Sequence, residues 1–184
     1  MKKLDLFPDG KLEVTLQRLC HELLEHHTGF EDTVLLGMQP RGIFLGRRVK
    51  QILESLVPGI AIRYGELDVT FFRDDFRRGA PLEANQTQID FLIEDQHVIL
   101  VDDVLYTGRT TRAALDAMLA FGRPRTVELL SLVDRKHKRE LPVKASYIGI
   151  EVDSIDTERV VVELAESGGE DKVWLIDKSQ DSSQ

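Results

Sequence analysis

The chain has 184 residues, of which 42% are hydrophobic and 30% are charged, so it is long enough to fold as one domain with a sizeable core. Its formal net charge of −8 excludes nucleic-acid binding through a uniformly basic surface, although residues 73–78 and 135–139 form local basic segments. Because no apolar run approaches the roughly 20 residues of a membrane span and the N-terminus has no apolar export core, we expect a cytoplasmic protein with no membrane partner.

The first half of the chain predicts two helices and three strands. Leucines and Cys20 recur at helical spacing over residues 12–27, which predicts an amphipathic helix with a buried thiol and with His26 and His27 at the surface. A lone cysteine agrees with a reducing compartment. Further elements are predicted as a strand at 33–38, a helix at 43–56, strands at 61–64 and 66–72, and a long polar loop at 74–88.

The second half predicts a parallel sheet. The apolar run 97–101 is typical of a strand buried on both faces, and residues 110–121 predict a helix that ends at Gly122. Strands are then predicted at 126–133, 145–150, 159–164 and 172–177, followed by a disordered tail over 179–184. Strands alternating with helices predict an α/β fold with a mainly parallel sheet, in a single domain over residues 1–178.

Two loops are expected at the carboxyl ends of strands, where ligands bind in such sheets: 37–42 and 102–110. In the second loop Gly108 permits close backbone approach, and the helix that follows offers free N–H groups to an anion. Hydroxyl groups come from Thr107 and Thr110, and Arg109 adds charge.

Asp102 and Asp103 stand directly before this anion site. Two carboxylates would repel a bare anion, but they would accept strong hydrogen bonds from the two hydroxyls of a sugar that carries the phosphate. The pattern therefore indicates a ribose 5-phosphate cradle. The alternative is an acidic turn followed by a threonine helix cap, and the GxGxxG and GxxxxGKS/T signatures are both absent.

The run VILVDDVLYTGRT, residues 98–110, resembles the phosphoribosyl-diphosphate (PRPP) signature of type I phosphoribosyltransferases. Together with DVTFFRDD (68–75), LVDR (132–135) and HKRELPVKASYIG (137–149), it resembles the PyrR family over residues 12–177. That family comprises uracil phosphoribosyltransferases that also regulate pyrimidine operons by attenuation. The resemblance implies the type I phosphoribosyltransferase fold, a mainly parallel central sheet flanked by helices, with a small hood and a flexible loop.

The resemblance implies a reaction in which uracil and PRPP give UMP and pyrophosphate. Mg²⁺ would be held mainly through PRPP, with no direct protein ligand. Asp102, Asp103 and Arg41 would be the catalytic residues, the aspartates by holding the ribose hydroxyls. The implied PRPP-binding residues are Asp102, Asp103, Val104, Leu105, Tyr106, Thr107, Gly108, Arg109 and Thr110, with Pro40, Arg41 and Gly42.

Other roles implied by the resemblance lie around this centre. Residues 39–42 would bind pyrophosphate through backbone N–H groups and Arg41, although Pro40 has no N–H to donate. A lid that excludes water would begin at Arg73, Asp74 and Asp75, and the base would lie near Arg135 and Val160.

Nothing in the sequence indicates a general base. Purine-using relatives have an aspartate at the position of Tyr106, so the tyrosine argues against purines. We therefore expect catalysis by positioning and by stabilisation of the departing pyrophosphate.

The chain departs from the family at two places. The family's Lys/His-Thr-Arg-Gly turn is replaced by Gln39-Pro40-Arg41-Gly42, and the Lys-Asn that follows Tyr-Ile-Gly is replaced by Ile150-Glu151. Because the lost threonine and lysine are linked to RNA recognition, these changes bear on RNA binding more than on PRPP binding.

The sequence therefore leaves three candidate functions. The first is the uracil phosphoribosyltransferase. The second is a UMP-responsive regulator that binds an mRNA leader through Arg18, His21, His137 and Arg139, for which the alternative is a solvated helix face and an exposed loop. The third is a PRPP-binding protein with altered base specificity, because hood residues 150–155 differ. The superfamily also implies a homodimer or a higher homo-oligomer.

Overall fold

A computed structural model describes residues 3–72 and 86–177 of the chain. The strands are β1 (Lys3–Asp5), β2 (Thr33–Met38), β3 (Arg63–Leu67), β4 (His97–Leu105), β5 (Thr126–Arg135), β6 (Tyr147–Val152), β7 (Glu158–Glu163) and β8 (Lys172–Asp177). The helices are α1 (Lys11–His26), α2 (Gly42–Leu56) and α3 (Arg109–Met118). Short 3₁₀ turns cover Thr28–Phe30, Thr70–Phe72, Leu119–Phe121 and Ala165–Ser167. In the described ranges, no helix is both long and apolar enough to span a bilayer.

The described strands form two sheets. The main sheet is parallel, with the order β3-β2-β4-β5-β6, and the smaller sheet is antiparallel, with the order β1-β8-β7. We call the smaller sheet, together with the connection 153–157 that leads into it, the hood. This architecture confirms the predicted type I phosphoribosyltransferase fold.

Both faces of the main sheet are covered, which is why its strands are apolar along their whole length. Successive side chains of a strand point to opposite faces, so Leu35 packs with α1 and α2 whereas Val34 and Leu36 pack with α3. The α1–α2 side also takes in apolar side chains of the hood, including Val162 and Val173. The hood is therefore joined to the body by a shared hydrophobic cluster.

Helix α1 forms where periodicity predicts it. The buried stripe consists of Leu12, Leu16, Leu19, Cys20 and Leu23, all at 7% exposure or less. Burial raises the pKa of the Cys20 thiol to about 12, so this sulfur lies in the core as a neutral apolar group.

Two expectations about local structure are wrong. The strand expected over 66–72 stops at Leu67, because the side chain of Asp68 accepts hydrogen bonds from the backbone N–H (2.9 Å) and the hydroxyl (2.5 Å) of Thr70 and the chain enters a 3₁₀ turn. Phe71 lies in this turn and is 69% exposed.

His27, expected at the surface, has a side chain only 8% exposed, because its Nε2 lies 2.6 Å from Glu128 on β5 and 3.1 Å from the hydroxyl of Tyr147 on β6.

Strand β1 was not predicted. It has three residues, too few to show a period, and it forms because Lys3–Asp5 pairs with Trp174–Ile176 of β8. The predicted lid residues Arg73, Asp74 and Asp75, most of the loop 74–88 and the tail 179–184 lie outside the described residues.

Candidate active site

The two loops singled out from the sequence lie side by side at the carboxyl edge of the main sheet. Strand β2 pairs with β4 in parallel, with Leu36 opposite Leu100 and Gly37 opposite Val101, so residues 39–42 and 106–108 leave the sheet at the same edge. Strand β5 ends at this edge as well, since Leu105 pairs with Asp134. The edge therefore collects the ends of three neighbouring strands.

Gly42 brings the start of α2 against the end of β4. A Cβ atom at this position would lie 2.3 Å from the carbonyl oxygen of Val101 and 3.2 Å from the Cα of Asp102, so any other residue would push the helix away. The preceding Gln39–Pro40 peptide bond is cis, and Pro40 and Arg41 are exposed. Gly42 is thus what places the 39–42 turn beside the first aspartate.

Gln39 joins the 39–42 turn to the end of β3. It is buried, its backbone N–H donates to the carbonyl of Leu67 (2.9 Å), and its side-chain Nε2 donates to the carbonyl of Gln86 (2.8 Å). One of the two residues that depart from the family turn therefore anchors it to neighbouring backbone.

Asp102 and Asp103 lie near the C-terminal end of β4, and their surroundings differ. Asp102 is 7% exposed, and its Oδ1 accepts the backbone N–H of Asp103 at 3.0 Å. The Oδ1 of Asp103 accepts the N–H of Val104 at 2.8 Å. Burial raises the pKa of Asp103 above its ordinary value, although the hydrogen bond with Asp102 and the nearby charge of Arg41 partly oppose this rise. A buried carboxylate of this kind calls for hydrogen-bond donors, which a sugar diol supplies.

The loop after β4 encloses a cavity of about 280 Å³. Its lining residues are Asp102, Val104, Leu105, Tyr106, Thr107, Gly108, Arg109, Thr110 and Thr111. Gly108 has a φ of 90°, and a Cβ there would lie 3.2 Å from that of Val143, so glycine suits this turn on two counts. Helix α3 begins at the next residue and presents its N-terminal N–H groups at the same end. One cavity thus combines an aspartate with a helix N-terminus.

Arg135, predicted to lie near the base, is 6% exposed at the end of β5. Its guanidinium carbon lies 3.9 Å from the centre of the Tyr106 ring, its Nε donates to the hydroxyl of Ser154 (2.8 Å), and its Nη2 donates to the carbonyl of Glu158 (2.8 Å). Val160 is half-buried on β7 of the hood. Arg135 therefore joins the phosphate-side loop to the hood.

Several residues near the site were missed from the sequence. Asp134 is 6% exposed at the end of β5, Ser154 is 7% exposed in the hood, and Thr111 lines the cavity. Among the described residues, Thr111 Oγ1 is the buried side-chain polar atom without a hydrogen-bond partner. The last threonine of TGRTT (residues 107–111) was the signal for Thr111, and no local pattern marks Asp134 or Ser154.

Comparison with known proteins decides the family. Residues 7–167 match the family model described as "Phosphoribosyl transferase domain". A protein named Bifunctional protein PyrR from Oceanobacillus iheyensis is 44% identical over 180 residues, covering 96% of this chain and 99% of its own. One of the same name from Desulfosudis oleivorans is 47% identical over 167 residues, covering 90% of this chain and 92% of its own. The chain belongs to the PyrR family of phosphoribosyltransferases.

Solved structures agree on the fold. The hypoxanthine phosphoribosyltransferase of Trypanosoma cruzi has a TM-score of 0.72 at 14% identity, covering 98% of this chain and 93% of its own. A hypoxanthine-guanine phosphoribosyltransferase of Bacillus anthracis has a TM-score of 0.71 at 13% identity, covering 94% and 98%. At such identities the likeness supports the fold alone.

The four candidate RNA contacts of this PyrR-family chain do not share one environment. Arg18 and His21 are exposed on α1, and Arg18 Nη2 donates to the carbonyls of Ile148 (2.8 Å) and Gly149 (2.9 Å) at the start of β6. His137 is exposed and lies 3.2 Å from Asp153, beyond the other end of β6 and so about 15 Å further along the strand direction. Arg139 points inward, where it pairs with Asp134. The expectation of an exposed 135–139 loop is therefore wrong for Arg135 and Arg139.

The remaining cations of this basic loop are paired with acids of β6 and of the segment after it. Lys136 lies 2.7 Å from Glu151, and Lys138 pairs with Asp156. The carboxylates raise the pKa of both lysines, chiefly through these side-chain hydrogen bonds. Acids of residues 151–156 thus offset the charge of the basic loop.

Proposed function

We propose that this chain is a uracil phosphoribosyltransferase that converts uracil and PRPP into UMP and pyrophosphate. The observation that carries the proposal is the juxtaposition, in one cavity, of Asp102 with the glycine loop and the N-terminus of α3. Asp103 is the next residue of β4. Membership of the PyrR family supports the choice of uracil as the base.

The ribose 5-phosphate moiety of PRPP fits this cavity in one orientation. The carboxylates of Asp102 and Asp103 accept the 2′ and 3′ hydroxyls, since charge-assisted hydrogen bonds to a diol are strong. The 5′-phosphate then meets the backbone N–H groups of residues 106–110 and the start of α3. Arg109 pairs with Glu140 at 2.6 Å, so its contribution to the phosphate requires that this exposed ion pair open.

Pyrophosphate is assigned to the turn at residues 39–42. The exposed guanidinium of Arg41 and the N–H groups of Arg41 and Gly42 face the leaving group, while Pro40 only shapes the turn. The base is assigned to the space between Arg135 and the hood strand that carries Val160. These residues stabilise the charge that develops as pyrophosphate leaves.

Mg²⁺ is proposed to arrive with PRPP. This cation prefers oxygen ligands, keeps several waters, and commonly uses substrate phosphates with one or two carboxylates. Within residues 3–72 and 86–177, no group of three or more His, Cys, Asp or Glu side chains forms a metal site. PRPP oxygens would be the main ligands, and the ion would neutralise pyrophosphate charge when bound.

In this reaction the C1′–O bond to pyrophosphate breaks, a bond forms between C1′ and N1 of uracil, and the N1 proton passes to water or to an oxygen of the departing pyrophosphate. The chain contributes by holding the sugar, the leaving group and the base in line. The described site offers no side chain placed as a general base, so positioning and charge stabilisation account for the rate.

The deciding experiment is uracil-dependent release of pyrophosphate from PRPP in the presence of Mg²⁺. We expect turnover with uracil, and a loss of about a hundredfold or more in kcat/KM for Asp103→Asn. Asp116→Asn, on the exposed face of α3, is the matched control and is expected to behave as wild type. Turnover with another base and none with uracil would support altered base specificity instead, and no turnover with any base would refute the enzyme.

RNA regulation is the second candidate function. The relatives carry the word bifunctional in their names, and Arg18 and His21 are exposed on one helix face. We propose that any binding of an mRNA leader uses this α1 face, because the 136–138 cations are paired with acids. Filter binding to the leader of the chain's own pyrimidine operon, with and without UMP, tests this; absence of UMP-stimulated binding would exclude it. A cytoplasmic location and a homo-oligomer complete the proposal.

A further inference from the structure

Residues 135–141, which we call the linking segment, connect the phosphate-side loop to the hood. The backbone N–H groups of Glu140 and Leu141 both donate to the carbonyl of Thr107, at 3.0 and 3.2 Å. At the other end, the N–H of Lys136 donates to the carbonyl of Val152 at 3.0 Å. The segment is therefore hydrogen-bonded on one side to the loop after β4 and on the other to the segment that enters the hood.

Within the linking segment, the side chain of Arg139 bonds to two groups outside the segment, and we call this pair of contacts the brace. Its guanidinium donates to Oδ1 of Asp134 at 2.5 Å and to the backbone carbonyl of Tyr106. Its side chain is 24% exposed, and that of Asp134 is 9% exposed, so the ion pair is largely shielded from solvent. A shielded, charge-assisted contact fixes geometry far better than an exposed surface pair does.

The position of this brace is informative because the β-ladder stops there. In the β4–β5 ladder Leu105 and Asp134 are the last paired residues, so Tyr106 is the first residue beyond this pairing. Beyond the ladder, Arg139 connects the two chain segments with its side chain, because it bonds both to the Asp134 side chain and to the carbonyl of Tyr106, the first residue of the loop. The peptides that follow Tyr106 are those whose N–H groups must point at the phosphate.

Arg135 contacts the ring of Tyr106, with its guanidinium carbon 3.9 Å from the ring centre. The same guanidinium donates to Ser154 and Glu158 of the hood, so it connects Tyr106 to the hood. Tyr106 is thus held by its carbonyl and by its ring. A planar guanidinium with a fixed fork of donors suits such contacts, whereas a lysine ammonium is a compact point charge without that geometry.

We propose that Arg139 is a positioning residue of the phosphoribosyl transfer, one that orients the loop 106–110 for the 5′-phosphate of PRPP, and is not a nucleic-acid contact. The inference rests on the proposed assignment of this loop to the phosphate. It reassigns a residue that the sequence pattern placed on an RNA-binding face.

The test compares Arg139→Gln, Arg139→Lys and a control, Lys136→Gln. Lys136 lies in the same segment, but its side chain is 42% exposed and pairs with Glu151, which is not part of the brace. Isothermal titration with Mg·PRPP in the absence of base gives the Kd for PRPP, and steady-state assays give KM for PRPP and for uracil. Thermal melting without ligand reports folding.

We expect Arg139→Gln to raise both the Kd and the KM for PRPP roughly ten- to a hundredfold, because small displacements of a binding loop are costly. KM for uracil at saturating PRPP should stay within about twofold of wild type, as should every constant of Lys136→Gln. Arg139→Lys should fall between, since it restores one of the two contacts. If Arg139→Gln does not fold, Arg139→Lys carries the test.

Wild-type PRPP binding by Arg139→Gln, or an equal rise in both KM values, would overturn the positioning role. Wild-type protein that binds PRPP without using uracil would refute the proposed base, while the Kd comparison would still decide the role of Arg139. Loss of leader RNA binding by Arg139→Gln at unchanged PRPP affinity would return this arginine to a nucleic-acid surface.

Discussion

Asp103 shows how a ligand-binding residue can weaken the free protein. Its carboxyl lies in a buried strand end beside Asp102, and burial raises its pKa above the ordinary 3.8. Ionisation of Asp103 is therefore harder in the folded chain than in the unfolded chain. Folding stability is accordingly lost as the pH rises from 3.8 through the raised pKa.

Asp103→Asn should therefore stabilise the free protein while it abolishes PRPP binding. We expect a gain of about 1 kcal/mol at pH 7, or about 2–4 °C in Tm, and a gain that shrinks as the pH is lowered. Thermal melting between pH 5 and 8 measures the gain, and titration with Mg·PRPP measures the lost binding. Asp116→Asn, which removes an exposed carboxylate, should change neither; an Asp103→Asn variant less stable than wild type would contradict the argument.

The thiol of Cys20 should be inert in the native protein. It is fully buried in α1, and burial raises its pKa to about 12, so almost no reactive thiolate forms at neutral pH. We expect no reaction with Ellman's reagent in buffer and one equivalent of reaction in 6 M guanidinium chloride. Rapid labelling without denaturant would show that α1 opens locally.

The site was predictable from the sequence only where its residues are contiguous. Asp102 to Thr110 form one run, so their chemistry is visible in the order of residues, and their assigned roles remain predictions for the experiments above. Asp134 and Arg139 contact the loop after β4 only because β4 and β5 pair side by side. A local sequence pattern does not show that pairing. His27 was misplaced for the same reason, since its partner Glu128 lies 101 residues away.

Among the elements, Arg48 of α2 ties the hood to the body. Its guanidinium makes paired hydrogen bonds of 2.5–2.7 Å to Glu166 and to Asp171, on either side of the turn between β7 and β8. The side chain of Arg48 is only 16% exposed. Since α2 begins at the 39–42 turn, this clamp also sets the hood relative to the proposed pyrophosphate site.

Arg48→Gln should destabilise the protein by about 2 kcal/mol at pH 7, because it removes charge-assisted hydrogen bonds from a shielded position. Urea unfolding monitored by circular dichroism measures this loss. Lys50→Gln, which breaks only an exposed pair with Glu54 on the same helix, should cost less than about 0.5 kcal/mol. Equal losses in the two variants would argue against the clamp.

The clamp also predicts a pH dependence with a definite sign. Arg48 lowers the pKa of Glu166 and of Asp171 below their ordinary values of 4.5 and 3.8. The stabilisation is therefore complete above these ordinary values and is lost as the pH falls through the lowered ones. Wild type should lose more stability than Arg48→Gln between pH 6 and pH 3; parallel pH curves would be inconsistent with the assignment.

The helices and strands were predicted correctly where burial imposes a periodic pattern of apolar residues. The prediction failed where hydrogen bonds from local side chains determine the backbone conformation. The stripes of α1 and α2 and the apolar run of β4 are direct consequences of a two-sided sheet. The strand expected over 66–72 was lost to the hydrogen bonds that Asp68 makes with Thr70. Strand β1 depends entirely on β8, more than 160 residues away in the chain.

On the scale of the whole molecule, the hood and the main sheet share one hydrophobic cluster. Val162, Val173 and Leu175 of the hood belong to the same buried set as Leu19 of α1 and Leu53 of α2. A small antiparallel sheet is marginal by itself, so its stability depends on this shared burial. The two sheets should therefore unfold together as one cooperative unit.

The single tryptophan of the chain, Trp174, lies on β8 and so reports on the hood, whereas far-ultraviolet circular dichroism reports mainly on the helices that pack on the body. We expect the two signals to follow one urea transition, with the same midpoint and slope, because separating the sheets would expose the shared cluster. Val173→Ala, a truncation at a fully buried hood position, should shift both transitions to lower urea together, by roughly 1–2.5 kcal/mol. The result would contradict this if the tryptophan transition alone moved in Val173→Ala, or if it preceded the loss of helix signal in wild type. The hood would then unfold independently. Closure of the hood over the base would in that case be a separate equilibrium that the substrate could shift.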